Sequence, residues 1–264
     1  MSHHFDEEPH NAITDSGIAR VIPCKELEMG DPIKWLALGL RDLLKAPLLT
    51  IFFGVFFAAI PWFITYLVAM TGWHLVILPA MVCFMLIGPF LAAGLYDISW
   101  EFEKGHKPSI WHAIKAVKRN AVNEWGFGIM LMVLMIFWLR VASMIHALYP
   151  SYMGNDLEEL IPFLVLGTIV GAIFTGIVFL LSAFTQPILM ERRVDLGTAV
   201  LTSVNAVWLN KGPMFVWAMI IFTTVVIGFL TGFIGFILLM PLIGYATWHG
   251  YIDTIETKIE RKYE

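Results

Sequence analysis

The chain has 264 residues, 58% of them hydrophobic and 14% charged, with a net charge of −4 and a mean hydropathy of +0.75. Ordinary water-soluble domains are roughly 45–50% apolar, so this composition excludes that class and indicates an integral membrane protein with no nucleic-acid partner. Cys24 and Cys83 fall in different environments, which excludes a disulfide framework.

Residues 1–29 contain "FDEEPH" and "CKELEMGD", acidic stretches without the basic start of a signal peptide. They predict an uncleaved, mobile cytoplasmic segment, whose three histidines and three acids in "SHHFDEEPH" offer at most adventitious binding of divalent ions.

From residue 30 onward a layout repeats three times: a short amphipathic stretch, then two apolar runs joined as a hairpin. The first unit, about 30–104, opens with "PIKWLALGLRDLLKAP", setting Trp35, Leu36, Leu40, Leu43 and Leu44 against Lys34, Arg41 and Lys45. Its apolar runs are about 47–70 and 74–97. The second unit, about 105–194, opens with "PSIWHAIKAVKRNAVNEW", where Ile110, Trp111, Ile114 and Val117 oppose Lys115, Lys118 and Arg119. Its runs are about 125–149 and 160–190; the latter exceeds one span, which implies tilt or an interruption at Pro187. The third, about 195–257, begins with "DLGTAVLTSVNAVWLNKGP", where Asp195 is placed to cap a helix, and carries runs 213–230 and 233–252 before a short tail, 258–264. A tryptophan in each opening stretch suits a helix lying on the membrane surface. Pro89, Pro187 and Pro241 fall in the second run of each hairpin, at unequal depths. The expected fold is therefore all-α and integral to the membrane: six transmembrane helices, as three repeats of an interfacial amphipathic helix plus a transmembrane hairpin.

Sixteen of the seventeen lysines and arginines fall in the two terminal segments and the two inter-hairpin segments, which puts both termini in the cytoplasm by the positive-inside rule. The seventeenth, Arg140, lies fifteen residues past Trp125, about 22 Å along a helix and within snorkelling reach of the outer surface. Ser143 stands one turn away, and Asp156, Glu158 and Glu159 are the acids on that side; an ion pair pinning the outer loop is expected, with an anion site or bare snorkelling as alternatives.

In the last run, Tyr245, His249 and Asp253 recur every four residues and form one stripe. Either the stripe is a hydrogen-bonded seam meeting Tyr96 and Asp97 of the second run, or it is a proton relay; seams are the commoner use of polar groups in membranes. His74 and His146, near the outer ends of their runs with Met70, Met144 and Met153 close in sequence, lack the spacing of a haem or metal site, and no cofactor or metal is expected. Met130, Met132 and Met135 do not share a helical face and read as packing. Gly167 with Gly171, and Gly228 with Gly232, form G-x-x-x-G pairs suited to close helix contact, within the chain or with another copy. The sequence has no nucleotide-binding glycine loop, no G-x-S-x-G and no H-E-x-x-H, so no enzyme is expected.

Four stretches, "GDPIKWLALGLRDLLKAP", "GPFLAAGLYDISWEFEKG", "AVLTSVNAVWLNKGPM" and "PLIGYATWHGYIDTIE", together resemble the bacterial inner-membrane family known as domain of unknown function 2189, over about residues 30–257. The resemblance implies a six-span protein of the bacterial inner membrane with no assigned reaction. A catalytic haem–copper oxidase subunit is excluded, because within or bordering the apolar runs there are only His74, His146 and His249 to serve as ligands. The expected role is a non-enzymatic scaffold or accessory of a membrane process, its partners the lipid bilayer and another membrane protein or itself. The alternative is a small transporter or channel lined by Arg140 and the Tyr245 stripe.

Overall fold

The computed structural model describes residues 21–72, 77–112, 121–148, 157–192 and 194–256. The described residues are mostly helical, with one isolated antiparallel bridge between Cys24 and Ile255. Helix α1 (Asp31–Lys45) starts at Gly30 with Asp31 and Pro32 in its first turn, and Asp31 accepts hydrogen bonds from the Glu28 amide at 2.7 Å and Lys34 Nζ at 2.7 Å. The helix presents three sectors, one more than the expected two. Ile33, Leu40 and Leu44 are exposed apolar groups, Lys34, Arg41 and Lys45 form a basic edge, and Asp31, Trp35, Gly39 and Asp42 are buried against protein. Trp35, expected at the lipid headgroups, is instead a core residue at 1% exposure, edge-on to Trp217 with ring centroids 5.7 Å apart. Trp111 is 74% exposed; the amphipathic stretch beyond it, 113–120, lies outside the described residues.

Helix α2 (Pro47–Thr71) follows directly, because Pro47 forces Ala46 out of helical geometry and breaks the chain's direction. Next come α3 (Ile77–Leu91) and α4 (Ala93–Glu103), separated by a one-residue break at Ala92, then α5 (Ala121–Leu148). The long fourth run divides into α6 (Leu157–Ser182) and α7 (Thr185–Glu191), interrupted at Ala183–Phe184 just before Pro187. Helix α8 (Leu196–Leu209) is capped by Asp195, whose carboxylate accepts from the Thr198 amide at 2.9 Å. Helices α9 (Lys211–Leu230) and α10 (Phe236–Thr254) complete the chain, the latter continuous through Pro241.

Four segments among the described residues are long and apolar enough to cross a membrane: Pro47–Met70, Val122–Leu148, Leu160–Glu191 and Lys211–Leu230. They carry many of the exposed large apolar groups, such as Phe52, Phe63, Phe137, Ile169 and Phe222, as expected where lipid is the solvent. The other two expected spans differ in kind. Helix α3 has 15 described residues before its break, and α10 has 19 with a polar second half.

Helix α10 is the hub, packed on α1, α2, α4 and α9. Two glycines permit this: a Cβ on Gly39 would stand 2.8 Å from the Ala246 amide nitrogen, and one on Gly54 would collide with the Ile237 carbonyl. The expected G-x-x-x-G pair at Gly228 and Gly232 is split: Gly228 gives close contact to Phe236 of α10, whose ring a Cβ would strike, whereas Gly232 sits in the α9–α10 turn at φ +61°. Gly171 does serve close contact, with a Cβ position 3.3 Å from the Trp138 ring.

The terminal segment expected to be mobile through residue 29 is docked from residue 21. The Lys25 amide donates to the Thr254 carbonyl at 2.8 Å, and the Glu256 amide to the Pro23 carbonyl at 3.0 Å. Asn210 completes the clamp, accepting from the Leu27 amide at 2.8 Å and donating to the Lys25 carbonyl at 3.0 Å, while the Ile22 amide donates to Thr202 at 3.1 Å.

Candidate functional site

Polar groups gather where the second halves of α4 and α10 meet α1, and where α7 meets α10. The three stripe residues of α10 each find a partner on α1 or α2. The Tyr245 hydroxyl lies 3.1 Å from Thr50 Oγ1, His249 Nε2 lies 2.7 Å from Asp42 Oδ2, and Asp253 Oδ2 accepts from Trp35 Nε1 at 2.9 Å. The partners thus differ from the expected Tyr96 and Asp97. Tyr96 does reach α10, but on another face, where it hydrogen-bonds Thr247. Asp97, one residue and about 100° further round α4, turns to His112 instead.

Asp42 is fully buried and joins three helices: it accepts from Ser99 Oγ of α4 at 3.0 Å as well as pairing with His249 of α10. Burial works to raise the Asp42 pKa, but the His249 and Ser99 hydrogen bonds and the nearby Arg41 charge outweigh it, holding the carboxyl below its ordinary range. Serine, histidine and aspartate are assembled here in the wrong order for nucleophilic catalysis. Ser99 and His249 both bond to the carboxylate, so no imidazole is placed to take the serine proton.

A second cluster lies at the end of α4. Gly105, at φ +77°, closes the helix in a left-handed turn in which the His106 amide donates to the Glu101 carbonyl at 2.9 Å, and the chain doubles back. His112 thereby returns to Asp97, with Nδ1 at 2.9 and 3.1 Å from the two carboxylate oxygens. Glu101, one turn beyond Asp97 on the same face, pairs with Lys104 Nζ at 2.7 Å, and His106 Nδ1 stands 3.4 Å from its other oxygen. Among the described residues, Asp97, Glu101 and His112 form a group able to hold a metal ion, with one ligating atom from each lying within 4.8 Å of the others. Of these the sequence reading singled out only Asp97; the available signal was the D-x-x-x-E spacing of 97 and 101, which places both acids on one helical face. A third cluster joins α7 to α10: the Tyr251 hydroxyl donates to the Glu191 carboxylate, and Arg192 Nε donates to Tyr251 at 3.1 Å.

Two cavities lie apart from these clusters. An inner one of about 150 Å³ is bounded by Phe84, Tyr96, Ser182, Trp217, Thr224 and Thr247. A larger one of about 580 Å³ lies between α2, α3, α5, α6 and α9, among Thr65, Met81, Trp138, His146, Phe163 and Phe229. Arg140 and the stripe residues line neither. Arg140 is exposed on α5, and Ser143 spends its hydroxyl on the Leu139 carbonyl at 2.7 Å. The acids expected to meet Arg140 lie outside the described side chains: Asp156 altogether, and Glu158 and Glu159 beyond their backbone. His74 also lies outside the described residues, so its approach to His146 is not described.

Apolar helices of spanning length, faced with exposed phenylalanine and isoleucine and closed at one end by buried polar pairs, define an integral membrane protein. Residues 77–191 match the family model described as predicted integral membrane protein (DUF2189), the family that the four sequence stretches resemble. No curated protein and no solved structure matches the chain.

Proposed function

We propose that the chain is a six-span protein of the bacterial inner membrane with both termini in the cytoplasm, built from three units of interfacial helix plus hairpin, and that it serves as a non-enzymatic scaffold or accessory of a membrane process. The observation that carries this reading is the use of the α10 stripe: Tyr245, His249 and Asp253 are each engaged by Thr50, Asp42 and Trp35 and line neither cavity. A relay needs groups that exchange partners along a wet path, whereas these tie α10 to α1 and α2. The surface reading of the amphipathic helices is supported by the uncovered apolar sector of α1 beside its basic edge, and by exposed Leu201, Trp208 and Leu209 of α8. The second helices of the first two units break at Ala92 and at Ala183–Phe184, while the third carries Pro241 unbroken.

The test is reconstitution together with topology. Purified protein in proteoliposomes is expected to pass neither protons nor anions above protein-free vesicles. Native mass spectrometry from mild detergent is expected to show the chain bound to a second membrane protein or to another copy of itself. A flux that Arg140→Leu or His249→Leu abolishes, with folding intact, would replace the scaffold by a transporter. Single cysteines at Asn11, Gly105 and Glu264 are expected to be shielded from an impermeant thiol reagent in intact cells, and one at Asn155 to react; labelling at Gly105 would overturn the six-span arrangement.

A further inference from the structure

Asp97, Glu101 and His112 take no part in the α10 seam. We propose that these three side chains form a binding site for one divalent transition-metal cation, zinc or manganese, at the cytoplasmic end of α4.

The first argument is charge. The Asp97 and Glu101 side chains are 0% and 6% exposed, and the lysine that joins them, Lys104, is itself 4% exposed and bonded to Glu101 Oε1. Two buried carboxylates share one buried ammonium, and the rest of their charge is met only by the more exposed His112 and His106 imidazoles, so the pocket favours a further cation. The second argument is geometry. The two acids stand one turn apart on a single rigid helix, so their spacing is set by the backbone, and the Gly105 turn brings the imidazole to them. Donor atoms around a four-coordinate ion with bonds of 2.0–2.2 Å are about 3.4 Å apart. A single ion uses one imidazole nitrogen; with one ligating atom from each residue the three lie within 4.8 Å of one another, and His112 Nδ1 already lies 2.9 Å from Asp97. Closing the group round an ion therefore asks only for a small rotation of His112, whose side chain is 42% exposed and free to make it. His106, 60% exposed and 3.4 Å from Glu101, stands at the mouth as a fourth donor or an entry point.

The third argument is donor chemistry. One imidazole nitrogen and two carboxylates, with no thiolate, suit Zn²⁺ and Mn²⁺. Copper(I) wants soft sulfur, and Ca²⁺ wants six to eight oxygens that this group does not supply.

The experiment uses the full chain in detergent, stripped with a chelator and then titrated with Zn²⁺, Mn²⁺ and Ca²⁺ by calorimetry, with bound metal counted by mass spectrometry after desalting. The N-terminal histidines are common to every variant, so the quantity read is the difference between variants. The proposal expects one Zn²⁺ or Mn²⁺ per chain that is lost, or bound at least about tenfold more weakly, in Asp97→Asn and in His112→Gln, and retained in His249→Gln. Because Asp97 is buried, its variant has a second reading if it fails to fold; His112→Gln, on a half-exposed side chain, then decides. Equal metal content in the wild type and His112→Gln overturns the site, and Ca²⁺ binding as tightly as Zn²⁺ overturns its assignment to a transition metal.

Discussion

Trp35 is where an interfacial anchor and a core residue part company. A tryptophan at the headgroups loses little when trimmed, because lipid and water fill its place. A tryptophan at 1% exposure, packed on Trp217 and on the bare backbone of Gly250, leaves a hole. Trp35→Ala should cost about 3–5 kcal/mol, the range for large aromatic truncations in packed cores. Trp35→Phe keeps most of the ring but removes the Nε1 donor 2.9 Å from Asp253. Hydrogen bonds to charged groups are worth roughly 1.5–3 kcal/mol; Asp253 is partly exposed and regains some hydration, so about 1–2 kcal/mol is expected. Trp111→Ala, at a site 74% exposed, should stay within about 0.5 kcal/mol. Folded fraction against denaturing detergent measures all three, and a double-mutant cycle of Trp35→Phe with Asp253→Asn should return a coupling of about 1 kcal/mol. If Trp35→Ala costs no more than Trp111→Ala, or the cycle shows no coupling, the packing of α1 on α10 is wrong.

Gly39→Ala should lower stability by about 2–3 kcal/mol, because the added Cβ meets backbone atoms of Ala246 and Leu242 at 2.8 and 2.9 Å that no side-chain rotation relieves; an unchanged denaturation midpoint would count against so close an approach. Asp42 has a folded-state pKa below its unfolded one, so its contribution is present above the ordinary value near 3.9 and is lost as pH falls through the lower folded value. The stability gap between wild type and Asp42→Asn should therefore shrink as the pH drops below about 4, and a gap that stays constant down to pH near 3 would refute the pairing. Asn210→Ala removes both sides of the clamp on residues 25 and 27 and should speed protease cleavage after Lys25 several-fold; equal cleavage rates would mean that the strap is held by other contacts.

The four long apolar helices, the interruption before Pro187 and the Asp195 cap were legible because each is a local signal: run length, a missing amide donor, a side chain three residues from the amide that donates to it. What escaped was what lay on the far side of each pattern. An amphipathic stretch shows that α1 has apolar positions but not whether lipid or α10 covers them, and Trp35 and Leu44 look alike until the partner helix is known. The strap at residues 21–29 bonds to groups some 180 positions away, Thr202 and Asn210, so no local spacing announces it. His112 was hidden by the Gly105 turn, which converts a separation of fifteen residues into a contact. Gly232 had the spacing of a helix-contact motif while serving as a turn, a distinction that rests on φ alone.

The placement of the buried polar pairs follows from what a bilayer lacks. Between helices in lipid, one apolar packing is scarcely better than another, since acyl chains solvate leucine as well as leucine does. A carboxylate is different: mispacking leaves it without a partner in a medium that cannot hydrate it. Asp42 with His249 and Ser99, Glu101 with Lys104, and Glu191 with Tyr251 each join residues to the second halves of α4, α7 or α10, and the first and third join separate helices. Sliding α10 by one turn against α1 and α4 would move His249 about 5.4 Å from Asp42, and it would part Trp35 from Asp253 in the same step. The seam therefore discriminates between registers that the apolar faces would accept almost equally. This accounts for the strong polarity of α10 in its second half and for its apolar first half, where Phe236 packs on the rings of Phe84, Phe229 and Phe233 and Leu238 is exposed.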